Sequence, residues 1–214
     1  MGRDHSISVD NKIIPDEIRE EAVYCLQHFP QLEPVHIEFR FRKRFKKSFM
    51  LAQPKIWTMF RPKQYRAYKI IMSRMFVLEE GKTLSIEEFP KDVLIGWLAH
   101  ELGHIVDYTH RSTFQMILFG IKYLVSGIHI KKAERAADVY AIEAGMHKYL
   151  GDTKEYILGH NDLSDGYKEK IKDLYLGPEE ISMIAHTRNP VKREILRQSR
   201  AMVDNKREQE EEQA

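Results

Sequence analysis

The spacing of apolar residues along the chain changes twice, and each change predicts a different kind of element. Between residues 12 and 29, apolar side chains recur every three to four positions, which predicts an amphipathic helix. Over residues 35–42 they alternate with polar ones, which predicts a strand with one buried face. Further strands are predicted at residues 48–52, 55–60 and 65–76.

After these strands the apolar spacing lengthens again, which predicts a helical second half. Ser85 and Glu88 have the capping-box spacing, ahead of a helix predicted over residues 90–108. Further helices are predicted at 131–146, in shorter segments to residue 175, and from residue 190 onwards. The order of helix, strands and helices predicts one α+β domain over residues 1–204, followed by a charged tail at 205–214 that we expect to be disordered.

The composition indicates a folded globular chain that needs no covalent cross-link. Of its 214 residues, 43% are hydrophobic and 31% are charged, which excludes a wholly disordered or fibrous protein. Cys25 is the only cysteine, so an internal disulfide and any multi-cysteine metal site are excluded. Because the N-terminal segment is polar and lacks the apolar centre of a secretory signal, we expect a cytoplasmic protein.

The predicted helix at 90–108 contains the pattern H-E-x-x-H as His100-Glu101-Leu102-Gly103-His104. Two histidines four positions apart share one helix face and can bind one cation. Neutral imidazole suits Zn²⁺, so we expect one zinc ion with His100 and His104 as ligands. Glu101 lies a fraction of a turn away, where it can contact the attacking water as a general base rather than bind the metal.

A catalytic zinc site needs a third protein ligand, and two residues compete for that role. Glu134 and Asp138 lie four positions apart on a predicted helix, so one can bind the metal while the other hydrogen-bonds a ligand histidine. The small residues around them allow a close approach to the first helix. His110 instead has the spacing of the third metzincin histidine, but Asp107 stands where that pattern needs a glycine turn. The residues therefore favour Glu134 and leave His110 as the alternative.

The two motifs together, H-E-L-G-H at 100–104 and E-R-A-A-D at 134–138, resemble those of the gluzincin metallopeptidases. They are most similar to the group of heat-shock membrane peptidases and CAAX prenyl endopeptidases. The resemblance covers about residues 90–145 and includes none of that group's membrane spans. It implies a zincin-like fold and peptidase activity, with residues in these roles: His100, His104 and Glu134 as zinc ligands, Glu101 as base, and Asp138 as support for a ligand.

Members of that group often have a His-Pro segment and a following arginine near the C-terminus. The segment from His186 to Pro190, with Arg193, resembles it only loosely, because Asn189 directly precedes the proline. We assign oxyanion stabilisation to His186, with Tyr140 and Tyr156 as alternatives.

The longest apolar run, residues 114–130, reaches the lower length limit of a membrane helix, about 17 residues. A single crossing here would place His104 and Glu134 on opposite sides of a bilayer, where they could not bind one ion. We therefore predict a buried helix or hairpin in the core. The alternative is a helix lying on a membrane surface.

Residues 40–74 contain 12 lysines and arginines and no acidic residue. This basic stretch has two interpretations. One is a binding surface for an anionic partner, such as nucleic acid, an acidic peptide or anionic lipid. The other, which we favour, is a solvated sheet face with buried aromatic residues. We predict a zinc metallopeptidase that binds an extended peptide or protein substrate, with a preference for acidic ones, along an edge strand at 65–76. The alternative is a non-catalytic, zinc-containing regulatory or nucleic-acid-binding module that uses the basic stretch. Glu101 favours the enzyme, because a closed structural zinc site gives it no role.

Overall fold

A computed structural model of the chain describes residues 9–42, 49–78 and 81–187 and confirms the α+β class. The strands are β1 (Lys12–Ile13), β2 (His36–Arg42), β3 (Met50–Pro54), β4 (Ala67–Ser73), β5 (Met75–Val77) and β6 (Thr83–Ser85). The helices are α1 (Arg19–Gln27), α2 (Lys91–His110), α3 (Thr113–Val125), α4 (Gly127–Glu143), α5 (His147–Gly159), α6 (Asp165–Leu174) and α7 (Pro178–His186). The helix predicted from residue 190 and the tail at 205–214 lie outside the described residues.

Four strands form a mixed sheet in the order β1-β2-β4-β3, and β5 and β6 form a separate hairpin. β4 pairs with β2 in parallel and with β3 antiparallel, so Ile70 lies opposite Phe39 on one side and Ala52 on the other. The prediction that residues 65–76 provide a substrate-binding edge is therefore wrong, because β4 has a strand on both sides. Within the described part of the sheet, β3 is the edge strand nearer α2.

Two of the predicted boundaries near the N-terminus and the sheet are also wrong. The helix expected over residues 12–29 begins only at Arg19, because Lys12–Ile13 pairs with β2 and Pro15 follows in an extended conformation. The strand expected at 55–60 is a 3₁₀ turn at Ile56–Thr58. Its large apolar side chains resemble a strand in sequence, but Trp57 and Phe60 are exposed rather than buried in alternation.

Helix α2 occupies the centre of the molecule and packs against α1, α4, α5 and β3. Its side chains are buried almost without interruption from Val93 to Tyr108. Two glycines allow neighbouring helices to approach it closely. A Cβ placed on Gly103 would lie 2.3 Å from the carbonyl oxygen of Ala137 in α4, and one on Gly96 would lie 2.2 Å from that of Tyr149 in α5.

Gly103→Ala is expected to lower the free energy of unfolding by about 2 kcal/mol, the usual range for an overpacked core. The cause is contact with a backbone oxygen, which cannot rotate away as a side chain can. Urea denaturation would measure the change. Gly120→Ala in α3 is the matched control, because no atom lies within 4 Å of a Cβ there, and alanine is the better helix former. Equal effects of the two substitutions would contradict the close approach.

The prediction that the apolar run at 114–130 is buried in the core is wrong, because much of it is exposed. It folds into α3 and the first turn of α4, which together turn through 120° at Ser126. Only one face of α3 contacts the core, through Met116 and Phe119, and the opposite face is apolar and exposed. Among the described helices, none is long and apolar enough by itself to cross a membrane, and α3 and α4 pass that test only as the bent pair.

The basic stretch is partly neutralised by an acidic residue just ahead of it. Phe39 is buried and Arg40 is exposed in β2, as the alternation predicts, but Glu38 is also buried. Its carboxylate pairs with Lys55 and with Arg40, the latter at 2.7 Å. The hydrogen bond from Lys55 outweighs burial and lowers the pKa of Glu38 to about 2. Residues 43–48 of the stretch lie outside the described part of the chain.

Candidate metal centre

Three buried side chains from two helices converge on one point. His100 and His104 lie one turn apart on α2, and each presents its Nε2 atom to Glu134 on α4. These nitrogens lie 3.1 Å and 3.3 Å from the same carboxylate oxygen, Oε2 of Glu134. One ligand atom from each residue lies within 4.8 Å of the other two, and each residue is only 5% exposed.

The local sequence explains this convergence. Positions four apart place both histidines on one face of α2. Gly103, between them, removes the side chain that would keep α4 away. On α4, Ala133, Ala137 and Ala141 are buried and small. The short carboxylate of Glu134 can therefore reach the imidazoles.

Asp138, one turn after Glu134, fixes the orientation of His100. Its Oδ1 atom lies 2.7 Å from Nδ1 of His100. Because an ionised carboxylate only accepts hydrogen bonds, Nδ1 is the protonated nitrogen and Nε2 faces the convergence point. The other oxygen accepts a hydrogen bond from the backbone N–H of Leu176 at 2.9 Å, and the ammonium of Lys154 lies 3.5 Å from Oδ1.

The electrostatics of the cluster favour a cation. Burial raises the pKa of Glu134, but the imidazoles of His104 and His100 outweigh burial and keep it well below the ordinary value. Burial lowers the pKa of His100, yet Asp138 and Glu134 outweigh burial and raise it to about 10. Two ionised carboxylates are thus held in a buried position. Two imidazoles and one carboxylate form a donor set that could hold a metal ion, and Zn²⁺ accepts donors of these types.

Glu101 lies beside this cluster but outside it. The ligand atoms that converge within the described chain belong to His100, His104 and Glu134, whereas Oε2 of Glu101 accepts a hydrogen bond from the backbone N–H of Ala52 in β3 at 2.6 Å. Burial raises the pKa of Glu101, against the opposing effect of the two imidazoles. A cavity of about 20 Å³ borders both His100 and Glu101, which is room for one water molecule.

Four residues that the sequence did not single out also contact the cluster. The hydroxyl of Tyr123 donates a hydrogen bond to Oε1 of Glu134 at 2.9 Å. The Tyr175 ring lies 5.2 Å from that of His100, and the Tyr108 ring stacks on His104 at 6.0 Å. Lys154 is buried between Asp138 and the Tyr175 ring. The only signal in the sequence for Lys154 is a cation within an otherwise ordinary amphipathic helix.

The remaining predicted site residues lie elsewhere. Helix α2 continues through Asp107 and ends at His110. The Nδ1 atom of His110 lies 3.3 Å from the Tyr140 hydroxyl and not at the convergence point. His186 is exposed at the end of α7, where Nδ1 donates to the carbonyl of Ser182 at 2.7 Å. The Tyr156 ring packs against Phe89. The assignment of oxyanion stabilisation to His186 stays a prediction.

Comparison with protein-family models, with curated proteins and with solved structures finds no match for this chain. The interpretation of the cluster therefore depends on its geometry and on the two sequence motifs.

Proposed function

We propose that this protein is a zinc-dependent metallopeptidase of zincin-like fold, related to the gluzincins. The observation that supports this best is the arrangement of four side chains. His100, His104 and Glu134 converge as a ligand set with one position to spare, while Glu101 lies next to them without joining them. A purely structural zinc site would use four protein ligands and would leave Glu101 without a task.

Each residue then has a distinct role. His100, His104 and Glu134 would hold the ion, which would supply the Lewis acidity that activates water and polarises the scissile carbonyl. Glu101 takes the proton from the attacking water and passes it to the leaving amine. Asp138 keeps His100 in the required tautomer. Tyr123 donates a hydrogen bond to Oε1 of Glu134, and the other oxygen, Oε2, faces the two imidazoles.

The substrate is proposed to be an extended peptide or protein segment along β3. Within the described part of the sheet, β3 is the edge strand beside the cluster. The backbone of Ala52 in β3 faces α2. The Ala52 N–H contacts Glu101, and the Ala52 carbonyl oxygen accepts from the Tyr108 hydroxyl at 3.4 Å. Glu38 neutralises part of the basic stretch, and the preference for acidic substrates stays a prediction.

Metal analysis and a cleavage assay on the same sample test this proposal. We expect about one zinc ion per chain and cleavage of unstructured peptides from a sequence-diverse library. 1,10-Phenanthroline should stop cleavage, and added Zn²⁺ should restore it, because the chelator removes the ion and leaves the fold able to bind it again. Stoichiometric zinc without cleavage of any peptide would favour the non-catalytic zinc-containing module instead.

A further inference from the structure

The outer face of α3 is an apolar surface on a helix that is already packed on its other side. Its six exposed side chains lie within one third of the helix circumference, and Phe114 and Leu124 are 74% and 85% exposed. They are Phe114, Ile117, Leu118, Ile121, Leu124 and Val125. The core needs only the opposite face. An apolar patch of this kind marks a surface that meets something less polar than water.

A second group of exposed apolar residues adjoins the start of α3. Ile56, Trp57, Phe60 and Tyr65 are each at least 60% exposed. Their segment is fixed to α3, because the Thr113 hydroxyl donates to the Met59 carbonyl at 3.0 Å and also accepts from Arg66 at 2.7 Å. The two groups of exposed apolar side chains are therefore held near each other, and the second includes Trp57 and Tyr65, which are typical of a membrane–water interface.

Basic side chains line a groove between α3 and α4, directly beside the apolar face. The groove has a volume of about 250 Å³. Its cationic and titratable lining residues are Arg111, Lys122, His129 and Lys132. Leu118, on the apolar face, also lines it. Arg111 is paired with Asp107 at 2.7 Å, so its charge is partly neutralised, whereas Lys122 is exposed on α3 itself.

The two sequence segments that form this surface contribute basic residues and no acidic ones. No acidic residue occurs in the sequence between Tyr108 and Ala133, or between Phe39 and Leu78. Acidic residues from other segments pair with some of the cations, including Asp173 with Lys131 and Glu38 with Lys55. An apolar helix face bordered by lysines and arginines, with tryptophan and tyrosine beside it, combines the two forces that hold a helix on an anionic bilayer.

We propose that α3 and the adjoining segment at 56–65 dock on an anionic lipid surface. The apolar face enters the boundary between headgroups and acyl chains, and the groove between α3 and α4 accepts a lipid phosphate. Lysine is depleted in the cores of protein–protein interfaces, and this favours a lipid surface over a second protein. The proposal is independent of the peptidase function, because no residue of the metal cluster takes part in it.

Vesicle flotation of the full-length protein tests the proposal. The partition coefficient of the protein onto vesicles of phosphatidylcholine with 30% phosphatidylserine should be at least tenfold higher than onto vesicles of phosphatidylcholine alone. Raising the salt from about 0.1 M to 1 M should remove most of this preference, because exposed charges are then screened within about 3 Å.

Two sets of variants separate the apolar and the electrostatic contributions. Phe114→Gln/Ile121→Gln/Leu124→Gln should reduce binding to anionic vesicles at least tenfold, and Lys122→Glu/Lys132→Glu should do so at low salt. The controls are Met183→Gln, an exposed apolar residue on α7, and Lys172→Glu, an exposed lysine on α6. Both controls should bind like the wild type. Circular dichroism should show the same fold for every variant.

The proposal is overturned if the wild-type protein fails to float with anionic vesicles. It is also overturned if analytical ultracentrifugation finds a wild-type dimer that the triple glutamine variant converts to a monomer while neither binds vesicles. That result would assign the face to a second copy of the chain. Equal loss of binding in the control variants would likewise contradict a specific surface on α3.

Discussion

Replacing Glu101 with glutamine should reduce peptide hydrolysis by at least about 100-fold and leave zinc binding intact. The amide is nearly isosteric with the carboxylate, and its oxygen can still accept the hydrogen bond from the Ala52 N–H. It cannot accept the proton of the attacking water, so kcat/KM should fall by about 10²–10⁴-fold, the usual contribution of a general base. Steady-state kinetics on a cleaved peptide and zinc analysis of the same preparation measure both quantities.

The matched control is Glu87→Gln, which makes the same chemical change at an exposed position. It should leave both kcat/KM and zinc content unchanged. Loss of zinc from Glu101→Gln would mean that Glu101 is a ligand, and our assignment of the base would be wrong. Undiminished hydrolysis with zinc bound would show that another group accepts the proton.

Replacing Glu134 with alanine should greatly lower the affinity of the protein for zinc. In Glu134→Ala the two imidazoles remain, but the carboxylate oxygen that lies 3.1 Å and 3.3 Å from their Nε2 atoms is lost. The zinc affinity should fall by more than the 10–100-fold typical of residues that only support a ligand. Competition with a chromophoric chelator measures the affinity, and circular dichroism checks that the variant is folded.

His110→Ala provides the comparison for Glu134→Ala. His110 lies at the end of α2 beside Tyr140, so its removal should change the zinc affinity less than twofold. The reverse result, with His110 essential and Glu134 dispensable, would establish the metzincin arrangement and require α2 to unwind at Asp107.

Elements with a strong local signal could be predicted from the sequence. The helix that bears His100 and His104 has an unbroken apolar period, and α2 indeed runs from Lys91 to His110. Glu134 and Asp138 followed from their spacing and from the surrounding alanines, because small residues on a helix indicate a close neighbour. These inferences needed only contacts within one helix or between two helices.

Features that depend on the tertiary arrangement could not be predicted. Two contacts depend on how the helices pack: Tyr123 with Glu134, 11 positions apart, and Lys154 with Asp138, 16 positions apart. No local sequence pattern predicts this packing. The edge position of β3 depends on strand order, which pairs β4 on both sides. The exposure of α3 was missed because hydrophobicity alone does not tell a core helix from one with an uncovered apolar face.

The hydrogen bond between Asp138 and the backbone of Leu176 has a consequence for how the protein is made. The residue that orients His100 is itself held by a segment 72 positions after His104. At a synthesis rate of about 5–20 residues per second, that segment follows the histidines by about 4–14 s. A growing chain can therefore form α2 well before Leu176 is available to bind Asp138. The orientation of His100 by Asp138 is complete only after synthesis has passed Leu176.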